Sequence, residues 1–330
     1  MGKPLPIAPV LVHDDAREFA DAVCIGLAQP QKVIPARFFY DRAGSELFEA
    51  ITELPEYYPT RTEIGILTAH AADIGAAIGP GRAVIEFGSG SSMKTPLLLR
   101  AIAPAAYVPV DISAEFLQHS AAALAADFPG LAVLPVAADF TAPFKLPGGI
   151  AGLPRLGFFP GSTLGNLAPI AAIDLLRSFA ATLGSDSWLV IGLDLAPGPG
   201  KSSDALEAAY DDAQGVTAAF NRNLLHRINR ELHGTVLVDD FSHRAVWNAV
   251  LGRIEMHLVA VRDTAFTAAG QSFSIVAGEH VHTENSYKWT LPEARMMARA
   301  SGWVPISDWT DADGRFGLHL WQRDDGRMQP

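Results

Sequence analysis

Val84-Ile85-Glu86-Phe87-Gly88-Ser89-Gly90-Ser91-Ser92-Met93-Lys94-Thr95 is an apolar run that ends in an acid, a Gly-x-Gly turn and residues able to open a helix. That order reads as a buried strand feeding a glycine-rich loop, the nucleotide-cofactor cradle of an α/β sheet. Glycine lets the backbone turn tightly and approach a ligand more closely than a Cβ permits. Outward from this stretch the pattern repeats. Strand-like runs lie at 83–87, 107–110, 131–137, 156–159 and 188–193, with helix-like segments at 95–103, 114–126 and 170–183. Strands alternating with helices give a parallel sheet covered on both faces.

The flanks differ in character. Residues 1–36 are apolar and proline-rich, with a short helical stretch at 16–27. Leu47, Phe48, Ile51 and Leu54 share a helix face that Pro55 ends. Thr60-Arg61-Thr62-Glu63 has the spacing of a capping box, predicting a helix from there to about residue 77. After the fifth strand, 194–200 is rich in proline and glycine, 204–232 is helical in pattern, and 235–277 is strand-like. Thr290-Leu291-Pro292 opens another helix, and two strands, 304–307 and 316–322, flank the turn Asp311-Ala312-Asp313-Gly314. The expected division is therefore 62–196 with 288–330 for the doubly wound sheet. Residues 1–61 with 197–287 would form a second α+β domain, built from the N-terminus and an insertion after the fifth strand.

Two neighbours narrow the guest of the glycine loop. Glu86 ends the first strand, and Asp111 ends the second, where an acid accepts hydrogen bonds from ribose hydroxyls. Met93 stands where a dinucleotide fingerprint has its third glycine, and no Gly-Lys-Ser/Thr completes a P-loop. A ligand with a ribose and no pyrophosphate fits better, namely S-adenosylmethionine in a Rossmann-like methyltransferase. A nucleotide-dependent oxidoreductase is the second reading.

Several stretches resemble the S-adenosylmethionine-dependent L-histidine Nα-methyltransferases of ergothioneine biosynthesis. They include Phe39-Tyr40-Asp41-Arg42-Ala43-Gly44-Ser45-Glu46-Leu47-Phe48, Leu54-Pro55-Glu56-Tyr57-Tyr58-Pro59-Thr60-Arg61, and the glycine loop with Lys94-Thr95. Further on come Phe159-Pro160-Gly161-Ser162-Thr163-Leu164-Gly165-Asn166, Ala209-Tyr210-Asp211-Asp212, Phe220-Asn221-Arg222-Asn223, Ile254-Glu255-Met256-His257-Leu258 and Thr283-Glu284-Asn285-Ser286. The resemblance implies three methyl transfers to the α-amine of L-histidine, giving hercynine. It implies an imidazole pocket of Tyr57, Glu284 and Ser286 lined by Met256, and a carboxylate grip of Asn166 and Tyr210. Tyr40 would lie near the amine as a possible proton relay. Gly88, Lys94, Asp111 and Asp139-Phe140 would meet the cofactor along with Glu86 and Gly90, and Gly161 would lie between the two ligands. The alternatives are an N-methyltransferase for another aromatic amino acid or amine, and a non-catalytic ligand-binding relative.

The totals exclude other classes. The chain has 330 residues, 49% of them hydrophobic, enough for a sizeable core. A net charge of −11 without a basic face disfavours nucleic acid as partner. One cysteine, Cys24, permits neither an intrachain disulfide nor a thiolate cluster. No run of about 18 apolar residues spans a membrane, so a cytoplasmic protein is expected; the sequence leaves the oligomeric state open, a monomer being plausible. No metal is expected, although His280, His282 and Glu284 alternate as if on one strand face, and Glu255 and His257 lie nearby in kind. Asn166, after Gly165, also reads as a helix N-cap.

Overall fold

The computed structural model describes residues 15–90 and 93–324; Ser91 and Ser92 of the glycine loop lie outside the described residues. In chain order the elements begin with α1 (Asp15–Leu27), β1 (Lys32–Val33), α2 (Arg42–Glu53), α3 (Tyr58–Ile78) and β2 (Ala83–Phe87). Next come α4 (Thr95–Ile102), β3 (Ala106–Asp111), α5 (Ala114–Asp127), β4 (Ala132–Val133), β5 (Val136–Ala137), β6 (Arg155–Phe159), α6 (Pro169–Leu183) and β7 (Trp188–Asp194). The segment that follows holds α7 (Ser203–Ala208), α8 (Val216–Glu231), β8 (Phe241–Asn248), β9 (Arg253–Ala260), β10 (Thr264–Ala268), β11 (Gln271–Ile275) and β12 (His280–Tyr287). The chain closes with α9 (Leu291–Ala300), β13 (Trp303–Thr310) and β14 (Phe316–Arg323). Its described residues divide into two compact units, one of 59–200 with 289–324 and the other of 15–58 with 201–288.

The first unit is built on an eight-stranded sheet in the order β13-β14-β7-β6-β2-β3-β4, with β5 also on β3. Strands β7, β6, β2, β3 and β4 run parallel, whereas β14 is antiparallel to β7 and to β13. Every residue of β2 and β7 is buried, Glu86 and Asp194 included, which explains their largely apolar runs: helices cover both faces. The strand order reverses beside β2, since β3 lies on one side and β6 on the other. A doubly wound sheet binds its ligand at such a switch point, beyond the carboxyl ends of the strands. That is where Gly88 turns. The Asp311–Gly314 turn joins β13 to β14 as the sequence predicts: Gly314 has φ +66° and donates to Asp311 O at 3.0 Å. After β7 the chain is clasped to the start of its own return. Leu195 bridges Trp289 in parallel, Trp289 N donates to Asp194 O, and Ala196 N donates to Trp289 O.

The second unit holds a four-stranded sheet, β1-β12-β9-β8, and the hairpin β10-β11. Its core draws on the helices and the sheet alike, with Phe39 stacked on Phe220 at 4.4 Å and Leu224, Ile228, Leu258 and Val281 nearly or wholly inaccessible. Asp41 caps α2 by accepting from Gly44 N at 2.8 Å, and it also accepts from Asn223 Nδ2 at 2.7 Å on α8.

Several expectations change. The capping box at Thr60–Glu63 does not form, because α3 already begins at Tyr58. The side chain of Glu63 is taken by partners distant in sequence instead. The box that exists is Thr290 with Glu293, ahead of α9, with Pro292 in the first turn. The run 131–137 splits into β4 and β5 around Leu134-Pro135, since proline brings no ladder donor. The helical stretch 204–232 is broken between α7 and α8, where Asp212 accepts from Val216 N and Thr217 N and Gly215 takes φ +76°. Asn166 is no helix N-cap: it ends the 3-10 turn Thr163–Asn166, and Ala168 precedes α6. The first unit's segment after β7 runs to Gly200, which packs on the closing hairpin. Arg315 Nε donates to its carbonyl, and a Cβ there would meet Asp313 O at 2.1 Å.

Candidate active site

In the first unit the cofactor candidates gather at the carboxyl ends of β2 and β3. Gly88 has φ +72° and Gly90 φ +46°, the left-handed backbone that the tight turn requires. Gly88 N and Ser89 N donate to Val110 O, stitching the loop to β3. Asp111 accepts from Gly90 N at 3.1 Å and from Ser113 N at 3.0 Å; burial raises its pKa, and these backbone donors oppose the rise. A Cβ on Gly88 would meet Phe140 Cε1 at 3.2 Å, so the ring of Phe140 lies close over the turn. Phe140 packs edge-on to Phe159, whose own neighbour Phe179 stacks on Phe87 at 3.7 Å. Asp139 is turned to Thr141, accepting from its N and its Oγ1.

Glu86 sits beneath the loop. It is 1% exposed and accepts from Thr95 Oγ1 at 2.7 Å and from Tyr107 Oη. Burial pushes its carboxyl up to about 7 against those two donors and Lys94. Lys94 pairs with Glu63 at 2.6 Å, and Glu63 also accepts from Gly161 N at 2.9 Å with no exposed surface of its own. One buried carboxylate thus ties the glycine loop to the turn after β6. Gly161 has φ +84°, and Asn166 lies five residues on, half-buried. Nothing local to Glu63 announced this, because its partner Gly161 is 98 residues away.

The second unit assembles a separate polar cluster. Tyr210 Oη and Ser286 Oγ lie 2.9 Å apart, and Lys288 Nζ donates to both at 2.8 Å. The Tyr57 ring meets Tyr210 edge-on at 6.1 Å. Tyr40 joins through aromatic contacts, edge-on to Phe48 at 5.7 Å and to Phe220 at 5.8 Å. Across the ladder Glu284 faces Met256 and Ser286 faces Ile254, so both polar side chains project from the sheet face that carries Met256 and Ile254, each 1% exposed. Desolvation on that face pushes Glu284 up to about 7, with Lys288 acting the other way.

Glu284 therefore does not share a face with His280 and His282, contrary to the alternation in the sequence. A register shift between His282 and Glu284 turns it over. Among the described residues no group of three His, Cys, Asp or Glu side chains has the geometry to hold a metal. Lys288 is the residue the sequence reading missed. It continues the alternation Glu284, Ser286, Lys288, and that periodicity was the available signal.

What the first unit can hold follows from its donors: a carboxylate at the end of β3, an aromatic ring over a left-handed glycine, and Met93 where a dinucleotide loop has its third glycine. That is the class of S-adenosylmethionine-dependent methyltransferases. A family model described as histidine-specific methyltransferase, SAM-dependent, matches residues 19–323, and the chain belongs to that family. It is similar to the histidine N-alpha-methyltransferase of Mycolicibacterium smegmatis, 40% identical over 96% of this chain and 98% of that protein. It is likewise similar to the histidine N-alpha-methyltransferase of Mycobacterium tuberculosis, 39% identical over 89% of this chain and 92% of that one. Ergothioneine biosynthesis protein 1 of Neurospora crassa is 29% identical over 87% of this chain, which spans 33% of the fungal protein.

Proposed function

We propose that this enzyme trimethylates the α-amine of L-histidine to hercynine, with S-adenosylmethionine as the methyl donor, as a step toward ergothioneine. The observation that carries the substrate is Glu284, a carboxylate placed on an apolar sheet face two residues from Ser286 and opposite Met256. A polar pair there suits the two ring nitrogens of imidazole. A pocket built to hydrogen-bond a ring penalises phenylalanine or leucine, which would leave it unpaired. The same carboxylate counts against an indole or another aromatic amine as the preferred substrate.

We read the first unit as the cofactor domain and the second as the substrate domain. Asp111 would accept from the ribose, Phe140 would cover the adenine side of the loop, and Gly88 and Gly90 would allow the close approach. Asp139 would add a second carboxylate, while Glu86 and the Glu63–Lys94 pair hold the loop in shape. The bound cofactor supplies a methyl group on a sulfonium, an electrophile that needs in-line approach of a neutral amine. In the second unit Tyr57, Glu284, Ser286 and Met256 would hold the ring end of the substrate, and Tyr210 its carboxylate. The family resemblance gives Asn166 the same carboxylate and Gly161 a place beside the substrate. Gripping a substrate at its ring and its carboxylate leaves the amine free to turn, which three successive transfers require. Desolvation lowers the pKa of an ammonium group, so no strong base is needed, and Tyr40 would pass the proton on.

No helix among the described residues is long and apolar enough to cross a membrane. We place the reaction in the cytoplasm, a reading supported by a chain with a single cysteine and hence no internal disulfide. The test is incubation of the purified protein with L-histidine and S-adenosylmethionine, with mass spectrometry resolving mono-, di- and trimethylated products. Trimethylhistidine should accumulate, with three equivalents of S-adenosylhomocysteine. Absence of any methylated histidine would overturn the proposal, and preference for another amino acid in a competition assay would redirect it.

A further inference from the structure

We propose that His282 and Thr283 are positioning residues that set substrate selectivity by pinning the β-bulge which delivers Glu284 to the pocket face. The proposal rests on reading Glu284 as the partner of the substrate's ring.

Side chains along a strand alternate between faces, so His280, His282 and Glu284 would fall on one face of a regular β12. The ladder shows otherwise. His280 pairs with Val259 and His282 with His257, but Glu284 pairs with Met256, the very next residue of β9. Two residues of β12 are spent against one of β9, and every side chain after Thr283 changes face. Were β12 paired regularly, with Thr283 opposite Met256, Glu284 would join the histidines on the outer face. Ser286 and Lys288 would turn away from Tyr210 with it.

A bulge persists when its misaligned backbone groups find partners. Here the partners are side chains of the bulge itself. His282 Nε2 donates to Glu284 O at 2.9 Å, across the turned-over position. Thr283 Oγ1 donates to Met256 O at 3.1 Å, on the strand opposite, and Thr283 is 2% exposed. The His282 ring is held in turn. His257 lies over it at 4.8 Å with a tilt of 33°, His257 Nε2 meets Glu255 Oε2 at 3.2 Å, and Arg253 Nη2 donates to Glu255 Oε1 at 2.6 Å. Burial lowers the pKa of both histidines, which disfavours charge on the stacked rings. The outer face thus carries a rack, Arg253–Glu255–His257–His282, whose last member grips the backbone of a residue that points the other way.

The experiment compares the wild type with His282→Ala, Glu284→Ala and the double variant, on L-histidine and on β-(2-thienyl)alanine, whose ring lacks nitrogen. His282→Ala should raise the KM for histidine about tenfold with little change in kcat, and shrink the histidine preference by a similar factor. His282→Gln, whose amide N–H can reach the same carbonyl, should recover most of both. In the Glu284→Ala background, His282→Ala should change neither quantity more than twofold, because coupled residues are non-additive. Thr283→Val removes only the hydroxyl donor; it should act like His282→Ala, and it tests the bulge if the alanine variant folds poorly. If Glu284→Ala alters histidine KM and selectivity while His282→Ala and Thr283→Val leave both unchanged, the positioning role is refuted. Full additivity of His282→Ala and Glu284→Ala would refute it as well. If Glu284→Ala itself changes nothing, the reading of Glu284 fails first and takes this one with it.

Discussion

Two glutamates release their protons at a higher pH than a free glutamate does, in different surroundings. Glu86 is sealed under the glycine loop with Thr95 and Tyr107, while Glu284 stands on an apolar sheet face near Lys288. Each is raised from 4.5 to about 7, chiefly by burial. In such a group the folded state keeps a proton that the unfolded chain has lost. Its contribution to stability is whole below pH 4.5 and is lost as the pH rises through about 7. A shift of this size is worth on the order of 3 kcal/mol for each group. The ligand-free protein should therefore lose thermal stability between about pH 5 and 7.5, and Glu284→Gln should flatten that loss. Melting curves across the range check it; equal slopes in the two proteins would remove Glu284 as a source. Legibility at this scale was uneven. Glu86, Asp111 and Glu284 stood at strand ends or in motifs and could be singled out. Glu63 could not, since its side chain serves Gly161 and Lys94 from a distant helix, and the local pattern suggested a cap instead.

Among the elements, short-range signals were legible unevenly: the cap expected at Thr60–Glu63 and the N-cap at Asn166 do not form, whereas Thr290-Leu291-Pro292 does mark the start of α9. There Thr290 Oγ1 accepts from Glu293 N, the Glu293 carboxylate accepts from Thr290 N, and Pro292 fills the first turn. Thr290→Ala should cost about 1 kcal/mol. Urea denaturation should register that loss while the KM for histidine stays put, because neither Thr290 nor Glu293 belongs to the polar cluster of the second unit. Buried parallel strands were plain, as largely apolar runs such as β2 and β7. What escaped was anything that depends on two strands meeting. The break between β4 and β5 and the bulge in β12 are properties of a ladder, and periodicity within one strand does not record its partner. The bulge mattered most, because it reverses which residues share a face with Glu284.

For the whole molecule, the order of the sheet was implicit in the order of the segments. Alternating strands and helices, then a helix with a hairpin, admit few ways to close a sheet. All the cofactor candidates fall in one unit, whereas Tyr40, Tyr57, Tyr210, Met256, Glu284 and Ser286 fall in the other. Affinity for S-adenosylmethionine should accordingly stay within about twofold in Glu284→Gln, and calorimetry without histidine would detect a larger change. The clasp of Leu195 and Trp289 marks where this division is made along the chain. Residues 201–288 leave and rejoin the first unit beside one parallel bridge, closed by hydrogen bonds that belong to that unit alone. A lineage could lengthen, trim or exchange that excursion while inheriting the methyl-donor sheet untouched. With the second unit holding the substrate, as proposed, new substrates would arise by editing the loop of chain beyond the clasp, without any rewriting of the fold that precedes it.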